Sequence, residues 1–264
     1  MLIAPIDRDA LRDQVRNSQP FPHFCIDNFL MPDFAAAVLG SFPSFHESRK
    51  LGREFSAVNE KNKVQITDAA KFPEPILQLH QVLASSEWLD TMSYVMDIPN
   101  LLADPLLIGG GIHETGPRGH LDVHVDFNYI KDRQLHRRLN ILVYFNKDWQ
   151  SDWGGNIELW DKNVRICHKS LSPIFNRCVV FATNEISYHG VTAVKCPEDS
   201  SRRSFAAYYY TKEAPPNWDG QAHSTLFKAR PNERVKGLIS MPMERLKKSA
   251  RQFMRTITQK IKGR

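Results

Sequence analysis

The sequence is short of cysteine pairs. Its four cysteines (Cys25, Cys167, Cys178 and Cys196) are far apart and form no CxxC. That excludes a disulfide scaffold and a zinc ribbon, and reduced thiols in a cytoplasm are the expectation. No run of about 18 apolar residues occurs, so no membrane-spanning helix is expected. The opening MLIAPIDRDALRDQV has no apolar core, so no signal peptide is expected either. Internal repeats and low-complexity segments are missing, which excludes solenoids. A net basic charge is also missing from most of the chain. The net charge is +6, but residues 244–264 hold eight Lys/Arg against one Glu. That segment carries +7, and the preceding residues about −1. The pI near 9 therefore belongs to the tail, and a nucleic-acid-binding fold is disfavoured.

What is present suits a globular protein of one large or two small domains, with 42% hydrophobic and 24% charged residues over 264 positions. Asp7 to Arg16 reads as a short helix with Asp7 as N-cap. Gln19-Pro20-Phe21-Pro22 breaks it, and Phe24–Ile26 reads as a strand. Pro32 suits a first helical turn, with Phe34–Leu39 continuing it. His46–Ile66 is polar without a period and reads as a loop or irregular insertion bordering a site. Helices are expected at Glu74–Leu83 and Ser86–Met96, the second capped by Ser86.

After Leu106 the pattern turns to short β-type runs: Leu106–Ile108, His120–Val125, Arg138–Phe145, Asn156–Trp160, Val164–Cys167, Cys178–Phe181, Ser187–Val191 and Arg203–Tyr210. Gly109-Gly110-Gly111, Thr115-Gly116-Pro117 and Trp153-Gly154-Gly155 read as turns between them. Short strands at this spacing argue for a sandwich, barrel or jelly roll, with the N-terminal helices covering one face.

Within this region His124-Val125-Asp126 stands out. A His and an Asp two apart on a strand point to the same face. A second candidate histidine, His189, precedes Gly190 at the end of a β-type run. Two His and one carboxylate with open positions form the non-haem Fe(II) facial triad. His120-Leu121-Asp122 competes, because an unbroken strand would put both pairs on one face. Taken singly, an HxD is more often a surface hydrogen bond than a metal site, and a lone His is more often a core histidine. Arg202 and Ser204 share a face and could grip a carboxylate. Arg203 is the alternative, but alternation pairs Arg202 with Ser204. Asn140, Leu142 and Tyr144 share a face that could wall a mixed pocket; a core tyrosine is the plainer reading of Tyr144.

The ordered set HxD, RRLNILVYFN, WGGNIELW, SYHGV and RRSFAAYYYT resembles the Fe(II)/2-oxoglutarate-dependent dioxygenases, in their prolyl 4-hydroxylase-like branch with its bacterial and fungal relatives. The opening PHFCIDNFL is similar too, and the resemblance covers about residues 20–212. It implies an α+β, mainly β fold: a double-stranded β-helix (jelly roll) with N-terminal supporting helices. It implies Fe(II) held by His124, Asp126 and His189. It implies 2-oxoglutarate as co-substrate, held by Arg202 with Tyr144 and Ser204, with O2, and ascorbate as reductant. His113, Asn140 and Leu142 would line the same pocket. Such a site needs no protein acid/base pair, and none stands out.

The expected division is a dioxygenase domain over 1–225, with helical support over about 1–100 and a jelly-roll core over about 104–212. An extension over 226–264 follows, ending in a basic amphipathic helix with a stripe at Leu246, Ala250, Phe253, Ile257 and Ile261. That helix could pack on the domain, adsorb to an anionic membrane surface, or dock a partner. The substrate expected from the resemblance is peptidyl proline. A free small metabolite, a glycan or a natural-product intermediate stands as the alternative, as does a cupin-like metal enzyme that is not an oxygenase. A binding module acting through its tail is a third class. Oligomeric state is left open.

Overall fold

The computed structural model describes residues 2–216, 218–233 and 236–241. The stripe expected over 244–264 lies outside the described residues. Helix α1 (Arg8–Arg16) starts at Asp7, whose carboxylate accepts from the Ala10 amide at 3.0 Å. Strand β1 (His23–Ile26) and α2 (Pro32–Ser41) follow, the latter with proline in its first turn. Helices α4 (Glu74–Leu83) and α5 (Ser86–Met96) sit where their periodicity predicts. The cap of α5 is Ser85, not Ser86, accepting from the Trp88 amide.

The expected loop at His46–Ile66 is instead a helix and a hairpin. Helix α3 (Phe45–Leu51) is nucleated by a capping box between Ser44 and Glu47. Strands β2 (Arg53–Ser56) and β3 (Glu60–Ile66) then pair antiparallel. Their polar composition hid them: β2 is an edge strand, and β3 takes its partner from far down the chain.

That partner is β5 (Gly111–Val125), the axis of the fold. The turn expected at Thr115-Gly116-Pro117 does not end it. Gly111–Thr115 pair with β12 (Arg202–Thr211), and Leu121–His124 pair with β11 (His189–Val191). The Gly/Pro stretch, with Arg118 at φ +63°, carries the strand from one layer of the sheet to the other.

Of the other expected strands, β7 (Leu135–Tyr144), β8 (Ile157–Trp160) and β10 (Cys178–Ala182) lie within a few residues of their sequence positions. Leu106–Ile108 is turn rather than strand; β4 (Leu102–Ala103) precedes it and pairs with β12. Val164–Cys167 is mostly turn, with Val164 at φ +57°, and β9 (Cys167–Leu171) begins where it ends. Short β6 (Tyr129–Ile130) pairs with β7, and β13 (Leu226–Phe227) pairs with β5. The main path runs β1-β10-β7-β12-β5-β11-β8-β9, all antiparallel, curled into a half-barrel.

Alternation decides which side of this sheet meets the helices. Leu139, Ile141, Val143, Val180, Phe205, Ala207 and Tyr209 pack with Phe34, Ile76, Leu79, Trp88 and Met92 into the main core. The Trp88 indole N–H donates to Tyr209 Oη at 2.8 Å, and that hydroxyl donates to the Leu83 carbonyl at 3.0 Å, so this contact buries no unpaired polar atom. The opposite parity (Leu142, Tyr144, Val179, Phe181, Ala206) faces the barrel interior. Among the described residues no helix is long and apolar enough to cross a membrane. All four cysteines are free.

Candidate active site

The barrel interior holds a cavity of about 450 Å³ lined by residues from β3, β5, β7, β10, β11, β12 and β13. At its base His124 and His189 are cross-strand partners with ring centroids 4.3 Å apart. Asp126 follows one step beyond the end of β5. Its two carboxylate oxygens lie 3.4 Å from His124 Nε2 and 3.5 Å from His189 Nε2. The three donor atoms lie within 4.8 Å of one another, a set that could hold one metal ion.

The second ring nitrogens fix the orientation. His124 Nδ1 lies 2.8 Å from the Asp122 carbonyl, and His189 Nδ1 lies 2.9 Å from the Ser187 carbonyl. A carbonyl can only accept, so each Nδ1 carries the proton and each Nε2 presents its lone pair to the cavity. Burial lowers the His189 pKa to about 3, assisted by His124, so the ring is neutral. Burial alone would raise the Asp126 pKa; the Arg137 charge and the two histidines outweigh it and hold the carboxyl well below its usual range. Two imidazoles with Nε2 turned to the cavity and one ionised carboxylate are the donor set that suits Fe(II), so the residues fit the metal.

Asp126 is held from behind. Arg137 Nη2 lies 3.0 Å from Oδ2, and the Asn140 amide donates to the same oxygen at 2.8 Å. Asn140 in turn accepts from Arg137 at 2.8 and 3.1 Å. Arg137 also stacks on Tyr208, 3.6 Å from its ring centroid. Its role was hidden because simple alternation puts it on the face opposite Asn140. A register shift between Tyr209 and Tyr210 gives β7 an extra residue and turns Arg137 inward.

A bulge also separates the two His-Asp pairs. His189 opposes His124, yet Val191 opposes Leu121, so β5 carries one residue more than β11 between them. Leu121, not Asp122, therefore lines the cavity. Asp122 is fully buried and reaches Lys236 Nζ at 2.6 Å, while His120 stands at the cavity rim.

Across the cavity, Arg202 is 4% exposed. Its Nε donates to the Gly155 carbonyl at 2.6 Å, Nη2 to Tyr144 Oη at 3.2 Å and Nη1 toward Ser204 Oγ at 3.5 Å. None of these partners is charged, and among the described residues no carboxylate lies within ion-pair distance of it. Tyr144, pushed up to about 12 by burial, stays protonated and can donate. Arg203 points the other way, 3.7 Å from Glu114. His113, Asn140 and Leu142 also line the cavity, and Gln65 of β3 holds His113 Nε2 at 2.9 Å. Gln65, Lys63, Phe127, Tyr208 and Phe227 are lining residues without an expectation in the sequence, because their elements or pairings were not legible there.

Residues 110–210 match the 2OG-Fe(II) oxygenase superfamily. The matched stretch carries the His124, Asp126 and His189 cluster and Arg202. Fe(II), 2-oxoglutarate and O2 are the metal and co-substrates that this match implies. A curated relative is the prolyl 3-hydroxylase OGFOD1 of Mus musculus, 32% identical over 78 residues, which is 28% of this chain and 14% of that protein. The match thus spans about a seventh of the relative's length. In fold the chain is similar to a Pseudomonas putida prolyl-4-hydroxylase (TM-score 0.57, 14% identity, covering 78% of this chain and 99% of that one). It is also similar to a Trichoplax adhaerens prolyl hydroxylase solved with a hypoxia inducible factor peptide fragment (TM-score 0.55, 17% identity, 78% and 89%). The jelly-roll expectation holds.

Proposed function

We propose that this chain is an Fe(II)- and 2-oxoglutarate-dependent dioxygenase that hydroxylates a C–H bond of a prolyl residue in a peptide, releasing succinate and CO2. The observation that carries the reading is Arg202, a buried cation among neutral partners in the same cavity as the triad. A buried charge without a counter-charge is costly. A dicarboxylate reaching from the metal to Arg202 would supply that charge. His124, Asp126 and His189 would hold Fe(II), whose chemistry when bound couples 2-oxoglutarate decarboxylation to oxygen insertion. Arg202 would take the distal carboxylate by charge-assisted hydrogen bonds, joined by Tyr144 and Ser204. Arg137 and Asn140 keep Asp126 ionised and oriented. The apolar walls Leu142, Ile157, Phe181 and Val191 exclude water.

The peptidyl substrate is supported by the prolyl hydroxylases named above. A small-molecule substrate is the second reading. Residues 1–225 would form the dioxygenase domain and 226–264 an extension. The test is succinate formation from 2-oxoglutarate with Fe(II), followed by a search for +16 products in a lysate and in proline peptides. A protein that binds Fe(II) but neither binds nor consumes 2-oxoglutarate would leave the cupin-like alternative standing.

A further inference from the structure

The second His-Asp pair has no part in the triad, yet Asp122 is completely buried. Its surroundings come from two elements distant in sequence. From the β2–β3 hairpin, the Asn59 carbonyl accepts the Asp122 amide at 2.8 Å, and the Val58 carbonyl lies 3.2 Å from His120 Nε2. From the C-terminal side, Lys236 Nζ reaches Asp122 Oδ1 at 2.6 Å and stands 3.3 Å from His120 Nε2. Arg230 Nη1 stands 3.8 Å from the same Asp122 oxygen, while Arg230 Nε pairs with Glu158 of β8 at 2.8 Å. Glu233 joins both cations at 3.7 Å.

The segment fastened by these contacts reaches the triad. Leu226–Phe227 pair with Val125 and His124 as β13, and the Lys228 amide donates to the Val123 carbonyl at 2.8 Å. The Phe227 ring lies 5.3 Å from the His124 ring at an interplanar angle of 37°. Thr225 and Phe227 line the cavity. Upstream, the His223 amide donates to Asn128 Oδ1 at 2.9 Å, and its ring meets Glu185 at 2.6 Å. All of this lies beyond residue 210, where the family match ends.

We propose that residues 223–233 and 236–241 form a strap that is a working wall of the active site: it holds Phe227 against the ring of His124 and is fastened by His120 and Asp122. This rests on the oxygenase reading above. Phe227 is then a positioning residue for His124. It limits the tilt of a ring whose Nε2 must point at the metal, and it closes that side of the cavity to water. The same clasp ties strap and hairpin together, so one buried carboxylate sets both sides of the substrate entrance. The strap also acts on specificity, because Thr225 and Phe227 present surface to whatever enters.

The test uses the full chain with Phe227→Ala, Phe227→Tyr and Lys236→Met, the last at a partly exposed site where Arg230 remains 3.8 Å from Asp122. Co(II) alone reports ligand geometry by its visible absorption. Fe(II) alone reports release to a chelator, and 2-oxoglutarate alone reports succinate made without a prime substrate. For Phe227→Ala and Lys236→Met the expected results are a shifted Co(II) band and Fe(II) release faster by about tenfold, the usual scale for a residue that orients a metal ligand. Succinate per bound iron changes with them, and Phe227→Tyr restores the wild-type values. If Phe227→Ala fails to fold, Lys236→Met carries the test. Wild-type band and release rate in every folded variant would overturn the strap. A wild-type chain that binds neither metal would instead overturn the oxygenase reading.

Discussion

Arg137 Nη2 lies 3.0 Å from Asp126 Oδ2, and the Arg137 side chain is only 2% exposed. The pair is a buried ion pair behind the carboxylate of the proposed metal triad. Removing one partner leaves a buried charge uncompensated, which costs about 3–5 kcal/mol. Arg137→Met is therefore expected to lower the unfolding free energy by that order and to weaken Fe(II) binding. Arg137→Lys keeps the charge but loses the two-pronged grip on Asn140 and should recover part of both. Calorimetry and metal titration on the three proteins check this; a Met variant as stable and as metal-competent as wild type would refute it.

Asp126→Ala is expected to abolish Fe(II) binding and succinate formation, because it removes a ligand. Asp122→Asn is expected to bind iron at saturation, because the bulge between Leu121 and His124 turns Asp122 out of the cavity. The opposite result would exchange the roles of the two pairs.

At the far end of the cavity, Arg202→Ala should raise the KM for 2-oxoglutarate by about 30-fold or more, the cost of losing one member of a desolvated charge pair. Tyr144→Phe removes a neutral donor and should cost about fivefold, from roughly 1 kcal/mol. Arg203→Ala should leave that KM unchanged, since Arg203 faces Glu114 on the other side of the sheet. Steady-state kinetics with varied 2-oxoglutarate separate the three.

Gly155 has φ +70°, and a Cβ there would stand 3.0 Å from Arg202 Cδ and 3.3 Å from Trp149. Gly155→Ala combines a strained backbone with a push on the clamp. We expect a stability loss of about 1–2 kcal/mol together with a raised KM for 2-oxoglutarate, whereas Gly40→Ala, within α2 and with nothing near its Cβ, should leave that KM unchanged and raise stability slightly.

Burial lowers the pKa of His23, His80 and His113, the last furthest. These rings take up protons less readily in the folded chain than in the unfolded one, which is protonated below about pH 6.5. The unfolded state then binds more protons, so their contribution to stability is present above that pH and is lost as pH falls toward the folded values. For His113 the slope has a limit of about 1.4 kcal/mol per pH unit. Melting temperature should fall between pH 6.5 and 5, and His113→Asn should flatten the slope.

The sequence by itself determined what depends on neighbours along the chain. Asp7, Pro32 and the apolar spacing of Glu74–Met96 set the helices, because caps and periodicity act within a few residues. Alternation along β12 and β7 placed Arg202 with Ser204 and Asn140 with Tyr144, because side-chain direction within an unbroken strand is local. His124 and Asp126 were legible as a same-face pair for the same reason, whereas His189 meets them only through cross-strand pairing. The tertiary structure decided what depends on pairing between distant segments. Two single-residue bulges, one in β5 and one in β7, reversed parity at Asp122 and at Arg137, and neither leaves a mark on its own strand. The β2–β3 hairpin drew its stability from β5, so its polar residues looked like loop. The Gly116-Pro117 step bent a strand where local chemistry indicates a turn, because both of its halves had partners waiting.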